Sequence, residues 1–356
     1  MPAPAMASTP SFAAKLIRWQ KKHGRHDLPW QGTTDPYRIW VSEIMLQQTQ
    51  VASVIPYFER FLQRFPTVAS LARAPSGEVM QAWSGLGYYS RARNLHAAAK
   101  IVLAEYRGQF PQSSAAIGEL PGIGRSTAAA IAAIAFGERA AILDGNVKRV
   151  LCRAYGIAGF PGDKRVEAKL WALAESLLPK SSITHYTQAL MDLGATLCRR
   201  GKPDCVRCPL NTNCVAYRDD RTGELPAPRP RKTIPVRDTA MLLLMNGGKV
   251  LIELRPPSGI WGGLWSLPEA PLATDWNAWC KAEFGLRINS TENLAPLRHG
   301  FTHFTLAIQP VQCKVVGTTM ALQEPRYRWI AMKDVAGAAL PAPVKKLLLA
   351  MNSPSP

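Results

Sequence analysis

The chain has 356 residues, enough for two or three domains, and its 43 Lys and Arg against 25 Asp and Glu give a formal charge of +18. This excess predicts a polyanionic partner or an anionic membrane surface. No segment approaches the ~20 apolar residues of a membrane span, and the start, MPAPAMASTP, lacks the features of a secretory signal. We therefore expect a cytoplasmic nucleic-acid-binding protein whose seven cysteines are reduced or bound to metal.

The N-terminal half has the apolar periodicity of helices. Ser11 can cap a helix that runs to about Lys22, and Asp35 followed by Pro36 is typical of the start of a second helix. The pattern stays helical over residues 51–105, with interruptions at prolines and glycines. These signals predict a mostly α-helical first region.

Glu43 lies in the second predicted helix, three or four residues from Ile39, Trp40 and Leu46, and therefore on or beside its apolar face. A carboxyl group there loses hydration, which raises its pKa and keeps it protonated near neutrality, as a general acid requires. The alternative is a glutamate at the helix edge that reaches solvent or a buried arginine.

Two further stretches suit contact with bases. Amide side chains such as that of Gln48 can fill a gap in base pairing or read base edges, although they are equally common at a solvated helix end. Residues 87–93 place two tyrosines, including Tyr88, beside two arginines. A ring could wedge between bases while the guanidinium groups hold phosphates. A core tyrosine with surface arginines is the alternative.

The segment LPGIGRSTAAAI begins with a turn in which Gly122 and Gly124 permit positive φ and a close backbone approach. A helix over about residues 126–136 follows, and its unpaired N–H groups and positive dipole end suit a phosphate. An ordinary helix–turn–helix corner explains the same residues.

Asp144 precedes another predicted helix, whose positive end favours the ionised carboxylate. Glu43 and Asp144 would then have opposite environments, one apolar and neutral, the other polar and charged. Pairs of carboxyl groups separated in this way are typical of glycosidic-bond chemistry.

Cys198, Cys205, Cys208 and Cys214 lie within 17 residues at the spacing C-x6-C-x2-C-x5-C. Zinc ribbons usually place two C-x2-C pairs farther apart, whereas one compact loop of four thiolates suits an iron–sulfur cubane. We predict a [4Fe-4S] cluster, with zinc as the alternative. The other three cysteines have no such partners and are predicted to be buried thiols.

Beyond this loop the composition changes. Residues 218–237 contain four prolines and few apolar side chains, which predicts a stiff linker. Residues 240–245 and 249–254 flank an Asn-Gly turn, a strong hairpin signal, and apolar residues alternate over 304–309. With two short helices, this predicts a small α/β domain.

Four motifs together resemble those of the helix–hairpin–helix DNA glycosylases, and among them the MutY-type adenine DNA glycosylases. They are VSEIMLQQTQV, LPGIGRSTAAAI with ILDGNVKRV, the four cysteines, and RPPSGIWGGLWSLPE. The resemblance implies a multidomain chain: a mostly-α helix–hairpin–helix glycosylase region with a [4Fe-4S] cluster loop, followed by a small α/β Nudix-like domain. The implied parts are residues 1–27 with 139–217 as the iron–sulfur-bearing lobe, 28–138 as the six-helix barrel lobe with the hairpin, 218–237 as the linker and 238–352 as the Nudix-like 8-oxoguanine recognition domain.

The resemblance also implies a reaction in base excision repair: adenine mispaired with 8-oxoguanine or guanine in double-stranded DNA is flipped out and its N-glycosidic bond is hydrolysed. Glu43 would protonate the adenine, Asp144 would stabilise the sugar cation, and Asn146 would orient Asp144 or the water. The implied DNA and base contacts are Trp30 in the adenine pocket, Gln48 and Tyr88 in the gap beside 8-oxoguanine, Gly122 and Gly124 at the DNA backbone, and Lys148.

Two positions decide finer points. Bifunctional relatives such as endonuclease III carry a nucleophilic lysine where this chain has Ser126, so we expect a monofunctional enzyme that leaves the strand uncut. The loop that recognises 8-oxoguanine corresponds to Phe301, Thr302 and His303. The family often has serine in the middle position, and Thr302 retains the hydroxyl.

Three other functions fit parts of the sequence: an endonuclease III-like glycosylase/lyase for oxidised pyrimidines, a non-catalytic sensor of DNA damage, and a Nudix hydrolase with a helical appendage. Ser126 and the C-terminal domain speak against the first. The sensor requires Glu43 and Asp144 to be far apart or poorly placed. The hydrolase requires a Glu-rich metal-binding helix, whereas residues 279–284 are WCKAEF. We expect a monomer in the bacterial cytoplasm, associated with the nucleoid.

Overall fold

The computed structural model describes residues 11–230, 233–256, 259–272, 274–301, 303–316 and 325–351. Contacts divide the chain into two compact units. The first comprises Met1–Ala74 and Asn94–Arg231, and the second comprises Pro75–Arg93 and Lys232–Pro356. Within the described ranges, no helix has both the length and the apolar character needed to cross a membrane.

The first part of the chain is helical, as its periodicity predicts. The helices are α1 (Phe12–His23), α2 (Pro36–Leu46), α3 (Val51–Arg64), α4 (Val68–Arg73), α5 (Ser76–Ala82), α6 (Ser90–Glu105), α7 (Ser114–Gly118), α8 (Arg125–Ala135), α9 (Gly145–Tyr155), α10 (Lys164–Ser176), α11 (Ile183–Thr196) and α12 (Val215–Arg218), with a 3₁₀ turn at Asn211–Asn213.

Short polar side chains set the starts of three helices. The Ser11 hydroxyl accepts a hydrogen bond from the N–H of Ala14 at 3.3 Å, and Asp35 accepts one from Tyr37 at 2.9 Å, which confirms both predicted N-caps. Asp144 caps α9 by accepting a hydrogen bond from the N–H of Val147 at 2.8 Å.

The core of the first unit joins the N-terminal helix to helices far along the sequence. Leu16 of α1 belongs to one buried cluster with Leu151 of α9 and Leu190 of α11, and Ala129 and Ala133 of α8 belong to it as well. Since α8 also contacts α2 and leads into α9 through residues 136–144, it holds the two helices that carry the candidate acids.

The described part of the second unit is built around one mixed sheet. Its strand order is β3-β2-β1-β7-β5, with β4 paired to β1, β6 to β7 and β8 to β2. The strands are β1 (Val236–Asn246), β2 (Lys249–Leu254), β3 (Trp265–Ser266), β4 (Glu269–Ala270), β5 (Arg287–Asn293), β6 (Leu297–Gly300), β7 (Thr305–Val316) and β8 (Tyr327–Ala331). Besides α5 and the start of α6, the helices of this unit are α13 (Trp276–Phe284), α14 (Ala342–Met351) and a 3₁₀ helix at Met332–Gly337.

Alternate residues of β1 point to opposite faces of this sheet. Both faces carry buried apolar side chains, and a helix packs on each. Leu243 packs in the cluster that contains Leu348 of α14, and Leu242 packs in the cluster that contains Phe284 of α13. The predicted hairpin is confirmed, with Asn246 opposite Lys249. The helical first part and the α/β second part confirm the predicted fold class.

Regular structure enters both ends of the stretch 218–237. Helix α12 reaches Arg218, and β1 begins at Val236 rather than at residue 240 as its apolar pattern predicts. The first residues of β1 are exposed, so hydrophobicity does not mark them, but Val236 already pairs with Thr305 of β7. Backbone pairing therefore extends the strand beyond its buried part.

Candidate active site

A cavity of about 1180 Å³ opens in the first unit. Side chains of α2, α8, α9 and α11 line it together with the segment that precedes α2. The sequence-predicted residues on its wall are Trp30, Glu43, Gln48, Ser126, Asp144 and Asn146. The fold therefore brings both candidate acids to one cavity across a hundred residues of sequence.

Glu43 has the environment that its place on α2 predicts. Burial raises the pKa of its carboxyl group to about 7, and the nearby Asp144 carboxyl acts in the same direction. The side chain is only half-buried because it faces the cavity, while protein atoms surround it on its other sides. A large fraction of Glu43 is therefore protonated at neutral pH.

Asp144 differs from the prediction. A polar setting was expected to favour its ionised form, but burial raises the pKa of this carboxyl as well. Hydrogen bonds from the N–H groups of Val147 and Asn146 oppose the shift, as do the charges of Arg149 and Lys148. The helix N-terminus thus reduces the cost of ionising a buried carboxyl rather than setting a low pKa.

Ser126 lines the cavity from the second residue of α8. Its hydroxyl oxygen accepts a hydrogen bond from the N–H of Leu143 at 2.9 Å. This bond joins α8 to the segment that ends in Asp144. Ser126 therefore supports the position of the acid, and a hydroxyl has no amine with which to form a Schiff base.

Asn146 is connected to the cysteine loop through Arg149, one turn along α9. The Arg149 guanidinium donates to Oδ1 of Asn146 at 2.8 Å and to the carbonyl oxygens of Gly194 and Cys198 at 2.8 and 2.7 Å. Arg153, the next turn along, donates to Sγ of Cys198 at 3.5 Å. Helix α9 thus begins at the candidate acid and contacts the loop with its arginines.

Part of the cavity wall was not predicted from the sequence. Asp192 of α11 is fully buried, and it accepts hydrogen bonds from the N–H and Nε of Arg25 at 3.1 and 2.8 Å and from Nε2 of Gln188 at 2.9 Å. Arg25 and Gln188 line the cavity. The available signal was a single acid on a largely apolar helix, because such a group must be paired when buried.

Trp30 lies in the same wall. Its ring is buried and meets Phe58 edge-on, with the ring centroids 5.4 Å apart. A flat apolar surface of this kind suits a planar heterocycle.

The two glycines of the turn before α8 differ in backbone conformation. Gly122 has φ +79°, and a Cβ there would lie 2.6 Å from the Cβ of Asn94. Gly124 has φ −88°, so it does not use the positive φ that a glycine permits. Gly124 is the N-cap of α8 and makes no side-chain cap bond, and a Cβ built there would meet nothing within 4 Å.

Lys148 forms an ion pair inside the first unit. Its ammonium lies 2.5 Å from Oε1 of Glu167 and is largely covered. A lysine held in this way is less available to a phosphate than the sequence alone suggests.

The four cysteines of residues 198–214 are free thiols and all half-buried. Burial raises the pKa of Cys205, and the thiols of Cys198 and Cys214 act in the same direction, so these groups lie within electrostatic reach of one another. Among the described residues, no three His, Cys, Asp or Glu side chains are grouped closely enough to hold a metal ion. As a donor set, four thiols beside two arginines fit an anionic iron–sulfur cluster.

Gln48 and Tyr88, the two predicted wedge residues, both have left-handed backbones, with φ 57° and 48°. Such conformations are uncommon outside glycine and asparagine, and they cluster at functional sites because surrounding structure must hold them. Tyr88 is also 51% exposed, which contradicts the alternative of a core tyrosine.

In the second unit, Phe301 packs in an aromatic cluster. Its ring stacks on Phe304 at 4.7 Å and meets His299 and Trp261 at 4.8 and 5.5 Å. His303 is exposed. Thr302 lies outside the described residues.

The sequence matches two family models. Residues 41–176 match the HhH-GPD superfamily of base excision DNA repair proteins, and residues 239–350 match the NUDIX domain. The fold and the cavity thus define a helix–hairpin–helix repair protein with an appended Nudix-like domain.

Similarity to individual proteins indicates more specifically which glycosylases the chain resembles. The adenine DNA glycosylase of Buchnera aphidicola subsp. Acyrthosiphon pisum (strain APS) is 38% identical, over 95% of this chain and 96% of its own. The human adenine DNA glycosylase is 31% identical over 99% of this chain and 76% of its own. The structure of a thermostable thymine-DNA glycosylase aligns with a TM-score of 0.53 and 31% identity, over 58% of this chain and 95% of that one.

The chain belongs to the adenine DNA glycosylase family. It is therefore a DNA-binding enzyme of base excision repair, a hydrolase that acts on N-glycosyl bonds. Proteins of this superfamily are generally iron–sulfur proteins.

Substitution by alanine should affect stability differently at Gly122 and at Gly124. Gly122→Ala should lower the free energy of unfolding by about 2–4 kcal/mol, since positive φ and a clash with Asn94 both oppose a Cβ. Gly124→Ala should cost about 1 kcal/mol or less, because its φ is ordinary and its surroundings are open. Urea unfolding compares the two.

Gly124→Ala should still weaken duplex binding several-fold, because its methyl group stands at the α8 N-terminus where a phosphate would approach. Equal unfolding midpoints for both variants would contradict the described hairpin geometry. Unchanged affinity in Gly124→Ala would contradict the prediction that Gly124 contacts the DNA backbone.

Proposed function

We propose that this enzyme is a monofunctional glycosylase that removes adenine mispaired with 8-oxoguanine or guanine in duplex DNA. One observation supports this more than any other: Glu43 and Asp144 share a cavity, and the pKa of Glu43 is about 7. A non-catalytic damage sensor would not require two carboxyl groups in one cavity.

The adenine must leave the base stack to reach this cavity, because the N-glycosidic bond is shielded within the duplex. In our proposal the flipped base lies against Trp30, and the protonated Glu43 donates its proton to the adenine ring at N7. Protonation makes the base a competent leaving group. The C1′–N9 bond then breaks, and its electron pair leaves with the base.

Asp144 acts on the sugar that remains. As the carboxylate it stabilises, or briefly captures, the oxocarbenium ion at C1′. Asn146 orients Asp144 or the attacking water, and because its Oδ1 accepts from Arg149, its amide NH₂ is the group that would donate in this role. Water completes the hydrolysis, and the product is an abasic site in an intact strand.

Ser126 supports the monofunctional reaction over the endonuclease III-like alternative. A lyase needs an amine at this position to attack C1′. Here the side chain is a hydroxyl that is engaged with the N–H of Leu143.

We place the proposed DNA contacts at residues whose backbone has an unusual conformation or free space beside it. Gly122 and Gly124 receive the DNA backbone at α8, Gln48 and Tyr88 occupy the gap left by the flipped adenine, and Lys148 contacts DNA only if its pair with Glu167 opens. The loop Phe301–His303 recognises 8-oxoguanine. The enzyme acts as a monomer on chromosomal DNA in the nucleoid region of a bacterial cytoplasm.

We also propose that the catalytic region has two lobes, residues 1–27 with 139–217 and residues 28–138. The core cluster that joins α1 to α9 and α11 supports the grouping of residues 1–27 with 139–217, and α8 of the other lobe adds Ala129 and Ala133 to it. A linker over about 218–237 then leads to the Nudix-like domain at 238–352.

A [4Fe-4S] cluster on Cys198, Cys205, Cys208 and Cys214 completes the proposal. The four free thiols and the adjacent Arg149 and Arg153 support it. When bound, the cluster would keep the basic loop folded beside α9.

Conservative changes at the two acids test the mechanism. Glu43→Gln and Asp144→Asn should each slow single-turnover adenine release at least ~100-fold, because neither amide can donate the proton or balance the sugar cation. Duplex affinity should remain close to that of the wild type. Glu59→Gln, on the exposed side of α3, is the matched control and should retain the wild-type rate. Wild-type turnover in either active-site variant removes that residue from the mechanism.

The pKa of Glu43 predicts the pH dependence. The reaction needs the protonated form, which is lost as pH rises through about 7. The value of kcat/KM should therefore fall about tenfold per pH unit on the alkaline side. A profile that stays flat between about pH 6 and about pH 9 would show that Glu43 is not the acid.

Metal analysis tests the cluster. Purified wild-type protein should contain about four irons and four sulfides per chain. Cys205→Ala should lose most of both, whereas Cys313→Ala, a buried thiol of the second unit, should retain them. One zinc and no sulfide would instead support the zinc alternative.

A further inference from the structure

The segment Pro75–Arg93 packs with the C-terminal region in the second unit, although it lies far from that region in sequence. Two side-chain hydrogen bonds contribute to this connection. Nε2 of Gln81 donates to the carbonyl oxygen of Gly337 at 3.2 Å, and Nη1 of Arg93 donates to the carbonyl oxygen of Gly262. The segment also carries Tyr88, so the proposed wedge belongs to the same compact unit as the proposed 8-oxoguanine loop.

Tyr88 is fixed to the start of α6. Its carbonyl oxygen accepts from the N–H of Arg91 at 2.9 Å, and that of Tyr89 accepts from the N–H of Arg93 at 3.2 Å. The buried Arg91 guanidinium lies 5.4 Å from the Tyr88 ring and donates to the carbonyl oxygens of Leu86 and Gly87 at 3.3 and 3.2 Å. These contacts hold the left-handed backbone at Tyr88 against the first turn of α6.

Gly262 lies in a tight turn with unusual backbone geometry. Trp261 has φ 54°, a conformation that a bulky residue adopts only when its surroundings hold it. The N–H of Leu264 bonds to the Trp261 carbonyl oxygen at 3.0 Å and closes the turn. Gly263, with φ +72°, faces Arg93, since a Cβ there would lie 3.7 Å from Cδ of that arginine.

The Trp261 side chain connects this turn to the predicted recognition loop. Its ring lies 5.7 Å from His299 and 5.5 Å from Phe301, and those two rings are 4.8 Å apart. A continuous set of contacts therefore runs from Tyr88 through Arg93 and Gly262 to Trp261 and Phe301.

We propose that Arg93 is a positioning residue that couples the wedge Tyr88 to the aromatic cluster of Trp261, His299 and Phe301. The preference of the enzyme for adenine opposite 8-oxoguanine over adenine opposite guanine depends on this coupling. The inference rests on the proposed function, because it assigns 8-oxoguanine recognition to the Phe301 loop.

The physical reason is cooperative ordering. A base that contacts the Phe301 loop stabilises the Trp261 turn, and Arg93 passes this constraint to α6, so that the wedge is held in its left-handed conformation. Guanine lacks the 8-oxo group, so it stabilises the aromatic cluster less. Adenine release from a G:A pair therefore depends less on the connection through Arg93. Cutting the connection should lower the rate on 8-oxoguanine:A more than the rate on G:A.

Single-turnover adenine release from matched 8-oxoguanine:A and G:A duplexes tests the proposal, with Arg93→Ala, Arg93→Lys, Trp261→Ala and the double variant. The ratio of the two rates should fall about tenfold in Arg93→Ala, a typical coupling between sites, and Arg93→Lys should restore most of it. Trp261→Ala should reduce the ratio similarly, and the double variant should be no worse than the worse single one, because both cut the same connection. Lys100→Ala removes an exposed charge from the same helix and should leave the ratio unchanged.

Other outcomes overturn the proposal. Equal slowing on both duplexes, or independent effects that multiply in the double variant, would show that Arg93 only supports folding. Weaker binding of every duplex, with the salt slope reduced by about one, would make Arg93 a phosphate contact instead. A wild-type enzyme with no preference between the duplexes would contradict the proposed substrate itself, whereas preference retained in Arg93→Ala would contradict only the coupling.

Discussion

Two carboxyl groups in one cavity set the constraint on which the rest of this structure depends. Removing Glu43 and Asp144 from water disfavours their charged forms, and the Asp144 carboxyl makes ionisation of Glu43 harder still. Glu43 consequently keeps a proton near neutrality, while the helix N-terminus and two basic side chains oppose the shift at Asp144. Burial keeps Glu43 protonated near neutrality, and the N-terminus of α9 opposes the effect of burial on the pKa of Asp144.

Much of the first unit holds this pair in place. The Ser126 hydroxyl fastens the segment before Asp144 to α8, and the buried Asp192 fixes the wall that contains Arg25 and Gln188. The arginines of α9 extend the same framework to the cysteine loop. A loop that loses its order would therefore disturb the helix whose first turn carries the acid.

Features that depend on neighbouring residues could be predicted from the sequence. The N-caps, the Asn-Gly hairpin and the apolar face around Glu43 depend on residues within four positions of one another, so their sequence patterns are sufficient. The raised pKa of Asp144, the ordinary φ of Gly124 and the partners of Asp192 depend on tertiary packing, which periodicity does not encode. The exposed start of β1 was missed because its signal is backbone pairing rather than hydrophobicity.

The most direct test uses purified protein and a duplex that contains one 8-oxoguanine:A pair, end-labelled on the adenine strand. The two-carboxylate hydrolysis without an amine nucleophile predicts release of free adenine and an intact strand, which breaks at the former adenine only after alkali. Strand cleavage at the same rate without alkali would contradict it, because that result requires a covalent imine that Ser126 is unable to form.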